Sequence, residues 1–188
     1  MNITPSKDWR KRSLPRLSPE HYRGHAFVFW THCIEDRRTG WLSPAFHKTF
    51  REILLHASAR YTLACPVYCL MPDHVHLLWL GMDPNSEQKQ ATKFLRQHLT
   101  PNLAPVEWQR QPHDHVLDEK ARERDAFQST CHYIQENPVR QSLVTEWTDY
   151  AYTGCMLPGY PELDIRTEDY WLRFWRIYAY GRKLNEPS

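Results

Sequence analysis

No stretch of this 188-residue chain approaches the ~20 consecutive apolar residues that a membrane-spanning helix needs, so a helical membrane anchor is not expected. The opening residues carry Lys7, Arg10, Lys11, Arg12 and Arg16 without the apolar core of a secretory signal, and a cytoplasmic location is the expectation. There is no CxxC pair. The five cysteines, at 33, 65, 69, 131 and 155, are an odd number at irregular spacing, which argues against a disulfide framework or a cysteine zinc site. Charge of one sign is also scarce: a net +2 is too small to demand a polyanionic partner. Internal repeats and low-complexity tracts are absent, so solenoid architectures are not indicated.

What is present suits one globular domain, with 41% apolar residues and a length a single core can serve. Of the 24 basic residues 17 are arginine, whose planar fork suits phosphate, and the 25 aromatic residues can supply stacking surfaces for unpaired bases. Composition therefore permits a nucleic-acid partner without requiring one.

Residues 1–24 read as a basic arm. From Ala26 to Ile34 the run AFVFWTHCI predicts a strand, and DRRTG at 36–40 predicts a turn. Ser43 and Pro44 form a helix-start pair, after which Phe46, Phe50, Ile53, Leu54, Ala57 and Tyr61 recur at helical spacing. Leu63 to Leu70 and His74 to Leu80 predict two antiparallel strands, because the three residues between them allow only a hairpin. A second helix is expected from Ser86 to about His98, ended by Pro101 and Pro105. A weaker strand lies between Trp108 and Leu117. A third helix is expected from near Asp118 through EKARERD to Asn137, where Pro138 disfavours its continuation.

This order is the split βαβ of an α+β, ferredoxin-like domain: an antiparallel sheet with helices on one face. The domain is expected over 25–146. The remaining 147–188 form an aromatic-rich tail with no clear period, holding 10 of the 25 aromatic residues, expected to pack on the domain or on DNA.

Three segments carry possible chemistry. In PDHVHLLWLG, residues 72–81, His74 and His76 stand two apart in a strand and so share a face, close enough to hold one cation. In QPHDHVL, residues 111–117, His113, Asp114 and His115 repeat the alternate spacing, and four histidines in two pairs also invite a metal-dependent hydrolase reading. In CHYIQENPVR, residues 131–140, Tyr133 and Asn137 lie four apart on one helix face and bring together a phenol and an amide oxygen. A phenol beside a dication meets the needs of phosphoryl transfer: a nucleophile, and positive charge for the non-bridging oxygens.

Taken together, HVH at 74–76 followed by LLWL, HDH at 113–115 and YIQENPVR at 133–140 resemble the single-tyrosine HUH transposases, and most closely their REP-associated tyrosine transposase branch. The likeness runs from about Tyr22 to Val144. It implies that His74 and His76 bind Mg2+ or Mn2+, with Asn137 as third ligand, and that Tyr133 is the nucleophile forming a 5′-phosphotyrosine. Asp118, Gln141 and Ser142 depart from the branch, at positions outside this set. The implied partner is single-stranded or hairpin DNA, bound by a monomer or a homodimer. Lys93, Arg96, Arg140 and the N-terminal basic arm are the expected phosphate contacts, and His113, Asp114 and His115 could orient the metal ligands from behind. A non-catalytic hairpin binder keeping the fold is the remaining alternative.

Overall fold

The computed structural model describes residues 17–117 and 125–185. Its strands are β1 (Phe27–Cys33), β2 (Leu63–Met71), β3 (His74–Gly81), β4 (His113–Leu117) and β5 (Thr153–Met156). Its longer helices are α1 (Pro44–Arg60), α2 (Gln88–Leu103), α3 (Ala126–Arg140) and α4 (Tyr170–Leu184). The strands form one antiparallel sheet in the order β4-β1-β3-β2-β5. The first four in that order are the ferredoxin-like arrangement read from the sequence, and β5 is an addition on the β2 edge.

Local chemistry explains most of the elements. Ser43 caps α1, its Oγ accepting the Phe46 N–H at 3.1 Å, and Pro44 occupies the first turn, where no partner for a backbone N–H is needed. Met71 pairs directly with His74, leaving Pro72 and Asp73 as a two-residue turn between β2 and β3. Pro66 is tolerated inside β2 because the ladder slips there, between Ala64 and Val67. Its carbonyl is not wasted: the Tyr170 hydroxyl of α4 donates to it.

Helices cover both faces of the sheet, not one. The residues Val28, Trp30, Tyr68, Leu70, Leu77 and Trp79 turn toward α1 and α2 and build one core with Phe50, Leu54, Leu95 and Leu99. The alternate residues Phe27, Val67, Cys69, Leu78 and Leu80 turn the other way and build a second core with Phe127, Ile134, Tyr170, Phe174 and Tyr178 of α3 and α4. A strand buried on both sides has no need to alternate, which is why LLWL in β3 and all nine residues of β2 are buried.

Two helices run past the prolines expected to stop them. α2 continues through Pro101 to Leu103 because Leu99 and Leu103 are both fully buried, while the Thr100 hydroxyl occupies the Arg96 carbonyl one turn back. α3 continues through Pro138 to Arg140; the ring forfeits one bond to the Ile134 carbonyl, but Ile134, Asn137 and Pro138 are all buried by that turn. Of the expected start of α3, residues 118–124 lie outside the described residues, and the described helix begins at Ala126.

The described end of the N-terminal arm is docked. Tyr22 is 1% exposed, lies 5.7 Å from the Trp30 ring and donates its hydroxyl to Asp114. Residues 1–16 of that arm lie outside the described residues. The expected tail is likewise part of the packed body, since it supplies β5 and α4. All five cysteines are buried and unpaired. No described helix is long and apolar enough to cross a membrane.

Candidate active site

β3 presents His74 and His76 on the face that α3 covers, as a two-residue spacing in a strand requires. Their Nε2 atoms stand 2.9 Å apart. The outer nitrogens are both occupied: His74 Nδ1 lies 2.6 Å from the Asp73 carboxylate, and His76 Nδ1 lies 2.9 Å from the Thr31 hydroxyl across the ladder. A carboxylate only accepts, so His74 Nδ1 carries the proton and its Nε2 is a bare lone pair. With Thr31 accepting from His76 Nδ1, a second lone pair points at the same place.

Both imidazoles are held neutral. Burial drives the His76 pKa down to about 2, with the Arg37 guanidinium adding to the effect. Burial also lowers His74, against the opposing pull of Asp73. Although burial alone would raise the Asp73 carboxyl, its hydrogen bond with His74 and the Arg37 guanidinium at 3.1 Å bring it below the usual carboxylate range. Neutral imidazoles with occupied Nδ1 atoms are the state in which histidine binds a metal.

α3 brings Tyr133 to this pair. Its ring lies 5.6 Å from that of His76 and 5.9 Å from Phe29, and it is 39% exposed, so it borders both the His76 imidazole and solvent. The Arg140 guanidinium lies 5.3 Å from the centre of the Tyr133 ring. Asn137, one turn beyond Tyr133, is 5% exposed, and its amide nitrogen is buried without a hydrogen-bond partner. The residues fit a hard divalent cation in their donor chemistry. Two neighbouring ligands on an octahedral ion with bonds of about 2.1 Å stand about 3 Å apart, which matches the Nε2 separation. Among the described residues no three His, Cys, Asp or Glu side chains cluster for a metal, so further donors would be an amide or water.

The other predicted residues fall elsewhere. Thr31 pairs with His76 on one side and His113 on the other, so β1 separates the two His-x-His pairs by two strand spacings, about 10 Å. His113 and His115 are exposed at the sheet edge, and the four-histidine site of a hydrolase is not assembled. Asp114 points to the opposite face, where Tyr22 donates to it, and cannot orient the imidazoles. Lys93 and Arg96 belong to α2, behind the sheet; Arg96 donates to the Gln109 carbonyl and sits over Trp108. A phosphate at Tyr133 is out of their reach. Of Lys93, Arg96 and Arg140, Arg140 alone borders the tyrosine.

No family model matches the chain. A Haemophilus influenzae protein whose name provisionally makes it a REP-associated tyrosine transposase is 23% identical over 142 residues, covering 67% of this chain and 77% of that protein. The solved structure of a REP-associated tyrosine transposase bound to a REP hairpin superimposes with a TM-score of 0.64 at 17% identity, over 76% of this chain and 82% of that one. The resemblance to REP-associated tyrosine transposases thus holds in sequence and in fold. In this shared fold, the sheet and α3 supply the frame in which the two histidines and the tyrosine meet.

One residue at this site escaped the sequence reading. Arg37 lies in the turn after β1, with Asp36 and Arg37 both in the left-handed region at φ 54° and 55°. The guanidinium is 54% exposed, bridges to Asp73 and lies beside His74. In the sequence DRRTG it registered as turn chemistry, and nothing local marks which of its two arginines faces the histidines.

Proposed function

We propose that this protein is a transposase that cleaves and rejoins single-stranded DNA, next to repeated palindromic hairpins, through a covalent bond to Tyr133. The observation that carries this reading is the convergence of the His74 and His76 Nε2 atoms at 2.9 Å beside the half-exposed ring of Tyr133. His74, His76 and the amide of Asn137 would hold Mg2+ or Mn2+, which when bound supplies positive charge to a phosphate and makes a neighbouring phenol easier to ionise. The fold and sequence likeness to REP-associated tyrosine transposases supports the same reaction class.

The residues divide the work. Tyr133 loses its phenolic proton and its oxygen forms a bond to phosphorus; the bond from phosphorus to the 3′-oxygen breaks, and that oxygen takes up a proton as a 3′-hydroxyl. The product is a 5′-phosphotyrosine. Attack by a 3′-hydroxyl reverses each change and joins strands, so no nucleotide triphosphate is consumed. Arg140 and Arg37, flanking the tyrosine and the imidazoles, hold the charged oxygens of the scissile phosphate. Asp73 and Thr31 fix the tautomers of the two histidines.

The test is incubation of the full chain with end-labelled single-stranded hairpin DNA and Mn2+, followed by denaturing electrophoresis. A slow-migrating covalent species should form with the wild type and fall by at least about 10³-fold in Tyr133→Phe, whose folding is spared because the side chain is half exposed. A hydrolase would keep its rate in Tyr133→Phe, and a non-catalytic hairpin binder would form no adduct with either protein; each result would overturn the reading.

A further inference from the structure

Resting on the reading that Tyr133 acts on unpaired DNA, we propose that the outer face of α4 is a binding surface for the single strand next to the cleaved phosphate. The inner face of this helix is fully used: Tyr170, Phe174 and Tyr178, spaced four apart, are buried in the second core. The outer face carries residues that a solvated helix has no use for. Leu172 is 57% exposed, Trp175 37% and Tyr180 58%, interleaved with the exposed Arg176 and Lys183. Trp175 is packed on one side by Phe127 and Phe174 and keeps its other side open, and Leu172 and Tyr180 are more than half exposed.

The charge on this helix selects the partner. From Tyr170 to Leu184 there are Arg173, Arg176, Arg182 and Lys183 and no Asp or Glu. Arg173 is bonded to Glu162 at 3.4 Å, whereas Arg176, Arg182 and Lys183 form no ion pair among the described residues. Favourable placement at a helix C-terminus accounts for Arg182 and Lys183, but not for Arg176 in mid-helix nor for the exposed rings. Cations interleaved with exposed aromatic faces are what a single strand requires, phosphates taking the charge and unpaired bases the rings. A second copy of the chain docked symmetrically here would set these cations against themselves.

The surface also leads to the tyrosine. Trp175 lies 5.0 Å from Phe127, which opens α3 on the same side of the sheet. Tyr133 is six residues further along that helix, about 9 Å by helical rise. A strand attached at Tyr133 reaches Trp175 first, and Tyr180 later, since Tyr178 beside it donates to the Gly81 carbonyl, five strand residues or about 17 Å along β3 from His76.

The experiment measures binding of the full chain to a hairpin with or without an unpaired extension of about ten nucleotides, by fluorescence anisotropy. Arg176→Ala combined with Tyr180→Ala, both at exposed side chains, should weaken binding of the extended hairpin at least about tenfold and reduce the slope of log affinity against log salt by about one. Binding of the hairpin without extension should not change, nor should adduct formation on a short oligonucleotide. Equal losses with both DNAs, or no loss with either, would overturn the proposal. So would conversion of a dimer to a monomer in sedimentation with DNA affinity intact, which would give the face to a second copy. If the wild type forms no adduct yet the extension-specific loss appears, the cleavage reading fails while this surface stands.

Discussion

The two faces of the sheet are made from the same strands but are closed to different degrees. Toward α1 and α2 the polar groups are enclosed: Gln88 is fully buried, accepts the Trp30 indole N–H at 3.1 Å and donates to the carbonyls of Ala26 and Trp79, while the Trp79 indole N–H and the Ser58 and Thr92 hydroxyls are shut in without a partner among the described residues. Toward α3 the second core gives way at one end of the sheet to His74, His76, Thr31 and the half-exposed Tyr133. Alternation along β1 and β3 therefore separates stability from chemistry by a single residue step. Substitutions on one side should move folding and spare the reaction, and those on the other should do the reverse.

The sharpest way to break this contrast, beside loss of the adduct in Tyr133→Phe, is His76→Ala. Covalent-adduct formation should fall by at least about 100-fold at saturating Mn2+, while the thermal midpoint measured without metal stays near that of the wild type, since the lost imidazole gave up its solvation to be buried. A collapse of the fold in this variant would mean that the histidine belongs to the core. Its counterpart is Gln88→Ala, which strands the Trp30 indole N–H, while the Ala26 carbonyl keeps the Gly81 N–H, and should cost about 1–3 kcal/mol in urea unfolding. The remaining folded fraction should form adduct at the normal rate; a lower rate per folded molecule would show that the faces are coupled.

Thr31→Val keeps shape and removes the partner of His76 Nδ1. Isothermal titration with Mn2+ should show affinity reduced by about tenfold, with little change in unfolding. The smallest effect concerns the enclosed side, where burial and the charge of Arg51 bring the His47 pKa down to about 4. The unfolded chain takes up this proton below about pH 6.5 and the folded chain does not, so stability declines as pH falls through that window toward 4. Between pH 7 and 5 the loss assigned to His47, allowing for its partial exposure, is about 1 kcal/mol, or a few degrees in thermal midpoint. His47→Gln should flatten that part of the profile; an unchanged profile would place the sensitivity elsewhere.

How legible these features were in the sequence depended on whether each was local. Ser43 and Pro44, the hairpin before His74, and the shared face of His74 and His76 are decided within a few residues, and the structure has all three, with the expected three-residue link shortened to two because Met71 joins the ladder. The second helical layer was legible only in the refusal of LLWL and LACPVYCLM to alternate, a sign of burial on both sides that the one-face reading passed over. α4 was hidden by its own composition. Its buried Tyr170, Phe174 and Tyr178 do recur at helical spacing, but Leu172, Trp175 and Tyr180 fill the opposite face with residues of the same hydrophobic class, erasing the period. Whether a basic residue meets Tyr133 or lies behind the sheet is settled by tertiary packing, which is why Arg140 was placed near the site, Lys93 and Arg96 were misplaced, and Arg37 was overlooked.

The short turn between β2 and β3 has a further consequence for how the protein comes into being. Asp73, His74 and His76 sit within one hairpin, whose closure costs little chain entropy, whereas Tyr133 arrives from a helix made much later along the polypeptide. A nascent or partly opened molecule that has only its hairpin holds the imidazoles and lacks the phenol. In the reaction proposed above, such an incomplete chain has no phenol with which to form the bond to DNA, so topology alone would hold it inactive, with no inhibitor required.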